Sequence, residues 1–163
     1  MTAMFHYLDT SAIVKLFEDE EGSKEVRQYF WNPNHSVFYT TFLCLGETLG
    51  VLKRKFVKQE ISQDKYLESC DDLMSQIRDE SICIDEISIV DRNIYSEVDT
   101  IADTYSLDIA DAFQIITLKR GALSRLSVDL MPLLITADEA LCKAARGEKL
   151  RVWDCLREPA PSS

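Results

Sequence analysis

The chain has 163 residues, 46% of them hydrophobic, with a formal net charge of -10 and a pI near 4.7. That length and apolar content suit one folded domain, and the acidity excludes a protein that grips nucleic acid through a broad basic field. The five cysteines, Cys44, Cys70, Cys83, Cys142 and Cys155, form no CxxC pair and no zinc-spaced cluster, so reduced, mostly buried thiols are expected. The opening MTAMFHYLDT has neither a basic leader nor a long apolar core, and no apolar stretch reaches membrane length, which predicts a cytoplasmic protein without membrane contact.

Short apolar runs alternate with longer amphipathic ones. Residues 4–8 read as a strand and 11–17 as a helix, with a further helical stretch after Gly22. A turn at Asn32, Pro33 and Asn34 leads to a second strand at 36–40 and a helix over 41–57, in which Phe42, Leu45, Leu49, Leu52 and Phe56 recur at helical spacing. The pattern then predicts a helix over 63–78, a strand marked by Ile82 and Ile84, and helices over 90–104 and 109–119, with Gly121 as a stop signal. A strand at 132–135, a helix over 137–145 and a strand at 150–153 follow, and the tail REPAPSS reads as flexible. This order predicts one α/β domain over 1–156, a parallel sheet covered by helices, with residues 157–163 as the tail. Ligands on such sheets collect at the carboxyl ends of the strands.

Asp9 directly follows the first strand, which puts it at that edge. Asp9, Thr10 or Ser11 could equally cap the next helix. Glu47 interrupts the apolar FLCLGETLGVL, so it must reach solvent, a basic partner or a metal; Gly46 and Gly50 beside it would let a ligand approach closely. The alternative is an ordinary exposed glutamate. Asp108 and Asp111 share one face of a helix, where they also suit an N-cap and a first-turn acid. Thr136 and Glu139 have capping-box spacing, which leaves Asp138 as an acid near a helix start just after a strand.

Each motif alone has a structural explanation; the combination of Asp9, Glu47, Asp111 and Asp138 points further, because all four could converge on one sheet edge. At an assumed ~5 Å and an effective dielectric of ~20, each ionised pair repels by roughly 3 kcal/mol, which a bound divalent ion would relieve. All-oxygen donors suit Mg²⁺ or Mn²⁺ rather than zinc.

At these four motifs the sequence resembles the PIN-domain family, and within it the short toxins of VapC type. YLDTSAIVKLF is similar to the family's opening strand and turn, with Asp9 as first acid and Ser11 as the accompanying hydroxyl. Glu47 in LGETLGVL matches the helical glutamate, DAFQIITLKRG resembles the segment carrying the third acid, Asp111, and LLITADEAL resembles the strand and Thr-x-Asp carrying the fourth, Asp138. Each block alone is weakly specific; four in this order are not. The sequence departs from the pattern at Gln114 and Ile116, where small or varied residues often occur, and Asp108 is an extra acid.

The resemblance implies a three-layer α/β/α fold, metal-dependent endonuclease activity mostly on RNA, frequent homodimers and, for the toxin branch, an antitoxin partner. On that reading Asp9, Glu47 and Asp111 hold one or two Mg²⁺ (or Mn²⁺), while Asp138 completes the shell or orients the attacking water. In-line attack would leave a 5′-phosphate and a 3′-hydroxyl. Lys53, Arg54, Lys55 and Lys58 could meet substrate phosphates, or simply offset the dipole of their helix; Lys15, Lys119 and Arg120 are weaker candidates. His6 and His35, the two histidines, read as structural or surface residues rather than a catalytic pair. The rivals are a non-catalytic PIN-like domain that binds a partner and an RNA-processing nuclease outside any toxin–antitoxin system. A phosphoryl-accepting Asp9 ranks last, since that chemistry needs a second Asp where Ser11 stands.

Overall fold

The protein is seen in a computed structural model that describes residues 5–35, 37–125 and 131–161. The expected strand starts at Met4 and Ser36, and the tail residues Ser162 and Ser163, lie outside the described residues. In chain order the elements are β1 (Phe5–Leu8), α1 (Thr10–Phe17), α2 (Ser23–Phe30), β2 (Val37–Thr40), α3 (Phe42–Val57), α4 (Gln63–Arg78), β3 (Ile82–Ile84), α5 (Arg92–Tyr105) and α6 (Ile109–Arg120). A short 3-10 turn (Ala122–Arg125), β4 (Leu133–Thr136), α7 (Glu139–Gly147) and β5 (Arg151–Asp154) follow.

The strands form one parallel sheet in the order β3-β2-β1-β4-β5. Strand side chains alternate between faces, so each strand feeds two cores. Leu8, Leu133 and Ile135 meet Ala12, Ile13, Leu45 and Leu73 from α1, α3 and α4. Tyr7 and Leu134 meet Val98, Ala112, Ile115 and Leu141 from α5, α6 and α7. The result is the expected three-layer α/β/α sandwich. Because the chain steps outward from β1 to β3 and then returns to the other side of β1, the sheet has a topological switch point between β1 and β4, where a crevice opens at the strand ends.

Several helices begin later than the apolar periodicity predicts, because the residue before them is used as a cap. Thr41 Oγ1 accepts from Cys44 N at 3.1 Å, Asp91 accepts from Asn93 N at 2.8 Å, and Asp138 Oδ1 accepts from Leu141 N at 2.8 Å. The predicted capping box is therefore displaced: Thr136 is the last residue of β4 and Asp138, not Thr136, caps α7. The stripe on α3 is also narrower than its spacing suggests. Leu45 and Leu52 are buried, but Phe42 is 63% exposed at the first turn.

Gly121 does end α6, though not by a left-handed turn. Its backbone is extended, and a Cβ there would stand 2.5 Å from Asp85 Oδ2 and 2.6 Å from the Thr117 carbonyl, so only hydrogen fits. The first two residues of the expected tail are tied down: Arg157 donates to Asp154 Oδ2 at 2.9 Å, and Glu158 pairs with Arg146. All five cysteines are free thiols, three of them buried. Among the described residues no helix is long and apolar enough to cross a membrane.

Candidate active site

Asp9 is placed by three elements at once. It ends β1, its backbone N–H donates to the Ile135 carbonyl of β4 at 3.1 Å, and its side chain caps α1. Oδ2 accepts from Ser11 N at 3.2 Å, Ser11 Oγ at 2.6 Å and Thr136 Oγ1 at 2.8 Å, while Oδ1 accepts from Gln114 Nε2 at 2.9 Å. These donors compensate a carboxylate that is only 4% exposed. Capping and site placement, alternatives in the sequence, are here one geometry.

The two supporting hydroxyls are themselves fixed. Ser11 Oγ accepts from Ala137 N at 2.8 Å and Thr136 Oγ1 accepts from Asp138 N at 3.0 Å, so α1 and the β4–α7 corner are laced together around Asp9. Each hydroxyl accepts from an N–H donor and stands closer to the carboxylate, at 2.6 and 2.8 Å, than to the other hydroxyl at 3.3 Å, so its one proton goes to Asp9.

Asp9, Glu47, Asp108, Asp111 and Asp138 all line one open cleft of about 360 Å³, together with Glu20. Glu47 reaches it from the exposed face of α3 and accepts from Thr10 Oγ1 at 2.8 Å. Asp108 caps α6 by accepting from Asp111 N at 2.8 Å. Asp111 is half-buried, and burial, with Asp9, Asp108, Asp138 and Glu47 adding repulsion in that order, raises its pKa to about 7. A carboxyl displaced that far by burial and by like-charged neighbours together marks a candidate functional site.

Gly46 and Gly50 do not mark a close approach in this structure: a Cβ on Gly46 would meet open space, and one on Gly50 would meet only Arg54 Nη1 at 3.5 Å. Of the basic run, Lys55 comes to the cleft wall, 3.4 Å from Glu20, which also binds the buried Lys15 at 2.8 Å. Lys53 turns away to the Phe56 and Tyr66 rings, 5.0 Å from each, and the Arg54 guanidinium lies against Gly50. Lys119 and Arg120 are bound to Glu148 and Glu97 on the α5–α7 side.

The chain matches the PIN domain family model over residues 6–147. It belongs to the PIN-domain family. No curated protein matches it in sequence. Among solved structures it is similar to PAE2754 from Pyrobaculum aerophilum, with a TM-score of 0.58 and 14% identity over 92% of this chain and 83% of that one. That likeness is one of fold.

The PIN fold is in general a nuclease fold, and its members usually depend on divalent metal. The donor set here fits such an ion: every side chain that could ligate in the cleft offers hard oxygen, from a carboxylate or a hydroxyl. Among the described residues no three such side chains are yet gathered around one point. Asp9 Oδ1 is occupied by Gln114 and Glu47 by Thr10, so the acids line the cleft without closing on its centre. The histidines do pair, with rings 5.2 Å apart, but within the packed core: His6 binds the Val37 carbonyl and the Tyr29 hydroxyl, and burial lowers its pKa to about 4.

No role is read from the sequence for two residues at the site of this PIN domain: Glu20, and Gln114, which is marked there only as a departure from the family pattern. Glu20 is one of four acids in EDEE, with nothing to single it out except the lysine five positions earlier. Gln114 had a usable signal, since three residues after Asp111 it must share that residue's helix face.

Proposed function

We propose that this PIN domain is a Mg²⁺- or Mn²⁺-dependent endoribonuclease, acting as the toxin of a toxin–antitoxin pair, with Asp9, Glu47, Asp111 and Asp138 as its metal-holding and catalytic acids. The observation that carries the reading is the Asp111 carboxyl, which burial and the repulsion of four other acids hold near pKa 7 in the cleft they line together. Such a cluster is unfavourable without a counter-charge and favourable with one.

A bound divalent ion supplies the positive charge and activates water for attack on the phosphodiester. The chain's own residues define the rest. Asp9, anchored by Ser11 and Thr136, is the rigid member of the four. Asp111 gives up its proton as the cleft gains positive charge. Exposed Glu47, tethered only through Thr10, is free to adjust to a phosphate, while exposed Asp138, held by its cap on α7 through Oδ1, keeps Oδ2 to orient water in line with the leaving oxygen. Cleavage leaves a 5′-phosphate and a 3′-hydroxyl. Lys55 beside the cleft is the best placed of the basic residues to meet a neighbouring phosphate, at the expense of its contact with Glu20.

The toxin assignment rests on the resemblance of the four blocks to the VapC type, which brings with it a protein antitoxin and a homodimer. Phe42 and Val90, 63% and 89% exposed, offer apolar surface that suits such partners. A second reading, a non-catalytic partner-binding domain, is favoured by one fact: Asp9, Asp108 and Asp138 all cap helices, which gives these acids a reason to exist without chemistry.

Cleavage of a mixed panel of structured and single-stranded RNAs, with Mg²⁺, Mn²⁺ or EDTA, tests the proposal against identically prepared Asp9→Asn. Metal-dependent cutting that a folded Asp9→Asn lacks supports it. Equal cutting by both proteins removes Asp9 from the mechanism, and no cutting by either favours the partner-binding reading.

A further inference from the structure

Gln114 sits in the most enclosed part of α6, with no exposed surface and Ala112, Phe113, Ile115 and Ile116 around it buried as well. Its Nε2 donates to Asp9 Oδ1 at 2.9 Å and stands 3.5 Å from Asp111 Oδ1. At the other end of the amide, Oε1 is buried without a hydrogen-bond partner. A buried amide oxygen left without a donor is costly, and an apolar side chain of the same length would avoid that cost. What offsets it is at the nitrogen end. The NH₂ carries two protons and faces two carboxylates, one on each side.

We propose that Gln114 is a positioning residue that stands in for a cation between Asp9 and Asp111, holding the two acids together while no ion is bound. This rests on the metal-site reading of the cleft. Asp9 Oδ2 is already saturated by Ser11 and Thr136, so Oδ1 is the atom Asp9 has left to offer the cleft, and that is the atom Gln114 binds. The amide and an ion serve the same pair of charges. Loss of the amide must then weaken the cation-free protein more than the loaded one, and by linkage must tighten ion binding.

The test is thermal unfolding of Gln114→Met, which keeps the length and loses the donor, in EDTA and in saturating Mn²⁺, with Mn²⁺ affinity from titration calorimetry. The same comparison is made, with every measurement at pH 8, in an Asp111→Asn background, where one of the two charges is absent. Gln114→Met loses about 5 °C of Tm in EDTA and recovers most of it in Mn²⁺. It binds Mn²⁺ about ten-fold more tightly than the natural protein, and its loss in EDTA falls to less than half in the Asp111→Asn background. Gln114→Glu, which adds a third acid, shows a larger loss in EDTA and a larger recovery; it carries the comparison if Gln114→Met does not fold. Equal losses in every background and buffer would make Gln114 a packing residue and overturn the proposal. A natural protein that binds no Mn²⁺, with relief by Asp111→Asn intact, leaves the bridge standing and overturns the metal-dependent nuclease instead.

Discussion

Thr136 donates its hydroxyl proton to Asp9 Oδ2 at 2.8 Å across 127 positions of sequence, and accepts in turn from the Asp138 N–H at 3.0 Å. One hydroxyl therefore ties the end of β1 to the end of β4 and to the first residue of the next acid-bearing corner. Thr136→Val keeps the shape and removes both bonds. We expect a stability loss of about 1–3 kcal/mol by chemical denaturation, because the Asp9 carboxylate stays buried with one donor fewer. We also expect a 10–100-fold fall in metal affinity or RNA cleavage. Unchanged activity would show that Ser11 alone orients Asp9.

Asp111 makes the cation-free protein sensitive to rising pH. Its folded pKa of about 7 lies above its ordinary 3.8, so between those values the folded state holds a proton that the unfolded state has lost. The stabilisation from that proton is full below the ordinary value and is lost as pH rises through about 7. Urea midpoints in EDTA should fall from pH 5 to pH 8, and in Asp111→Asn they should not. Ion binding requires the carboxylate, so Mn²⁺ affinity should rise over the same interval, with proton release seen as buffer-dependent binding heat.

His6 acts in the opposite direction at lower pH. Burial takes its pKa from 6.5 to about 4, so the folded state keeps it neutral while the unfolded state takes up a proton. Its contribution is complete above 6.5 and is lost as pH falls through about 4. Thermal unfolding should show this acid limb in the natural protein. It should be reduced in His6→Phe, whose ring keeps the stack on Phe38 at the cost of the Tyr29 hydroxyl's partner.

Two basic residues near the end of α3, Lys53 and Lys55, should behave differently from each other. Lys55 stands at the cleft wall and Lys53 is turned to Phe56 and Tyr66. Lys55→Ala should weaken RNA binding and reduce the salt slope of log K by about one, whereas Lys53→Ala should leave both unchanged. A salt slope reduced equally by both would place the RNA along the whole end of the helix.

Core packing on the α5–α7 face supports the site from below. Leu134 is fully buried between β1 and β5, and Leu134→Ala should cost about 2–5 kcal/mol by chemical denaturation. A loss below 1 kcal/mol would mean that this face of the sheet repacks freely.

The sequence by itself determined the layer order, and it named four acids that the fold brings to one cleft. Alternating short apolar runs and amphipathic helices leave little choice but a parallel sheet with helical crossovers, and Asp9 after β1 must then stand at the carboxyl edge. It also held the caps, but not their assignment. Thr136 and Asp138 both fit the start of α7, and the pairing of β4 with β1, which turns Thr136 toward Asp9, is what leaves the cap to Asp138.

Only the tertiary structure decided what happens between elements distant in sequence. That Phe42 faces outward follows from where α1 and α4 pack on α3, which a helical period cannot supply. That Gln114 meets Asp9 across 105 positions depends on how α6 packs on the sheet, and that Lys55 rather than Lys53 reaches the cleft depends on how α3 packs against α1. The physical reason is one of range. Capping, periodicity and turn chemistry act over a few residues and are written locally, whereas the burial that raises the Asp111 pKa, and the repulsion that Asp9, Glu47 and Asp138 add to it, exist only once the fold has brought their segments to one edge.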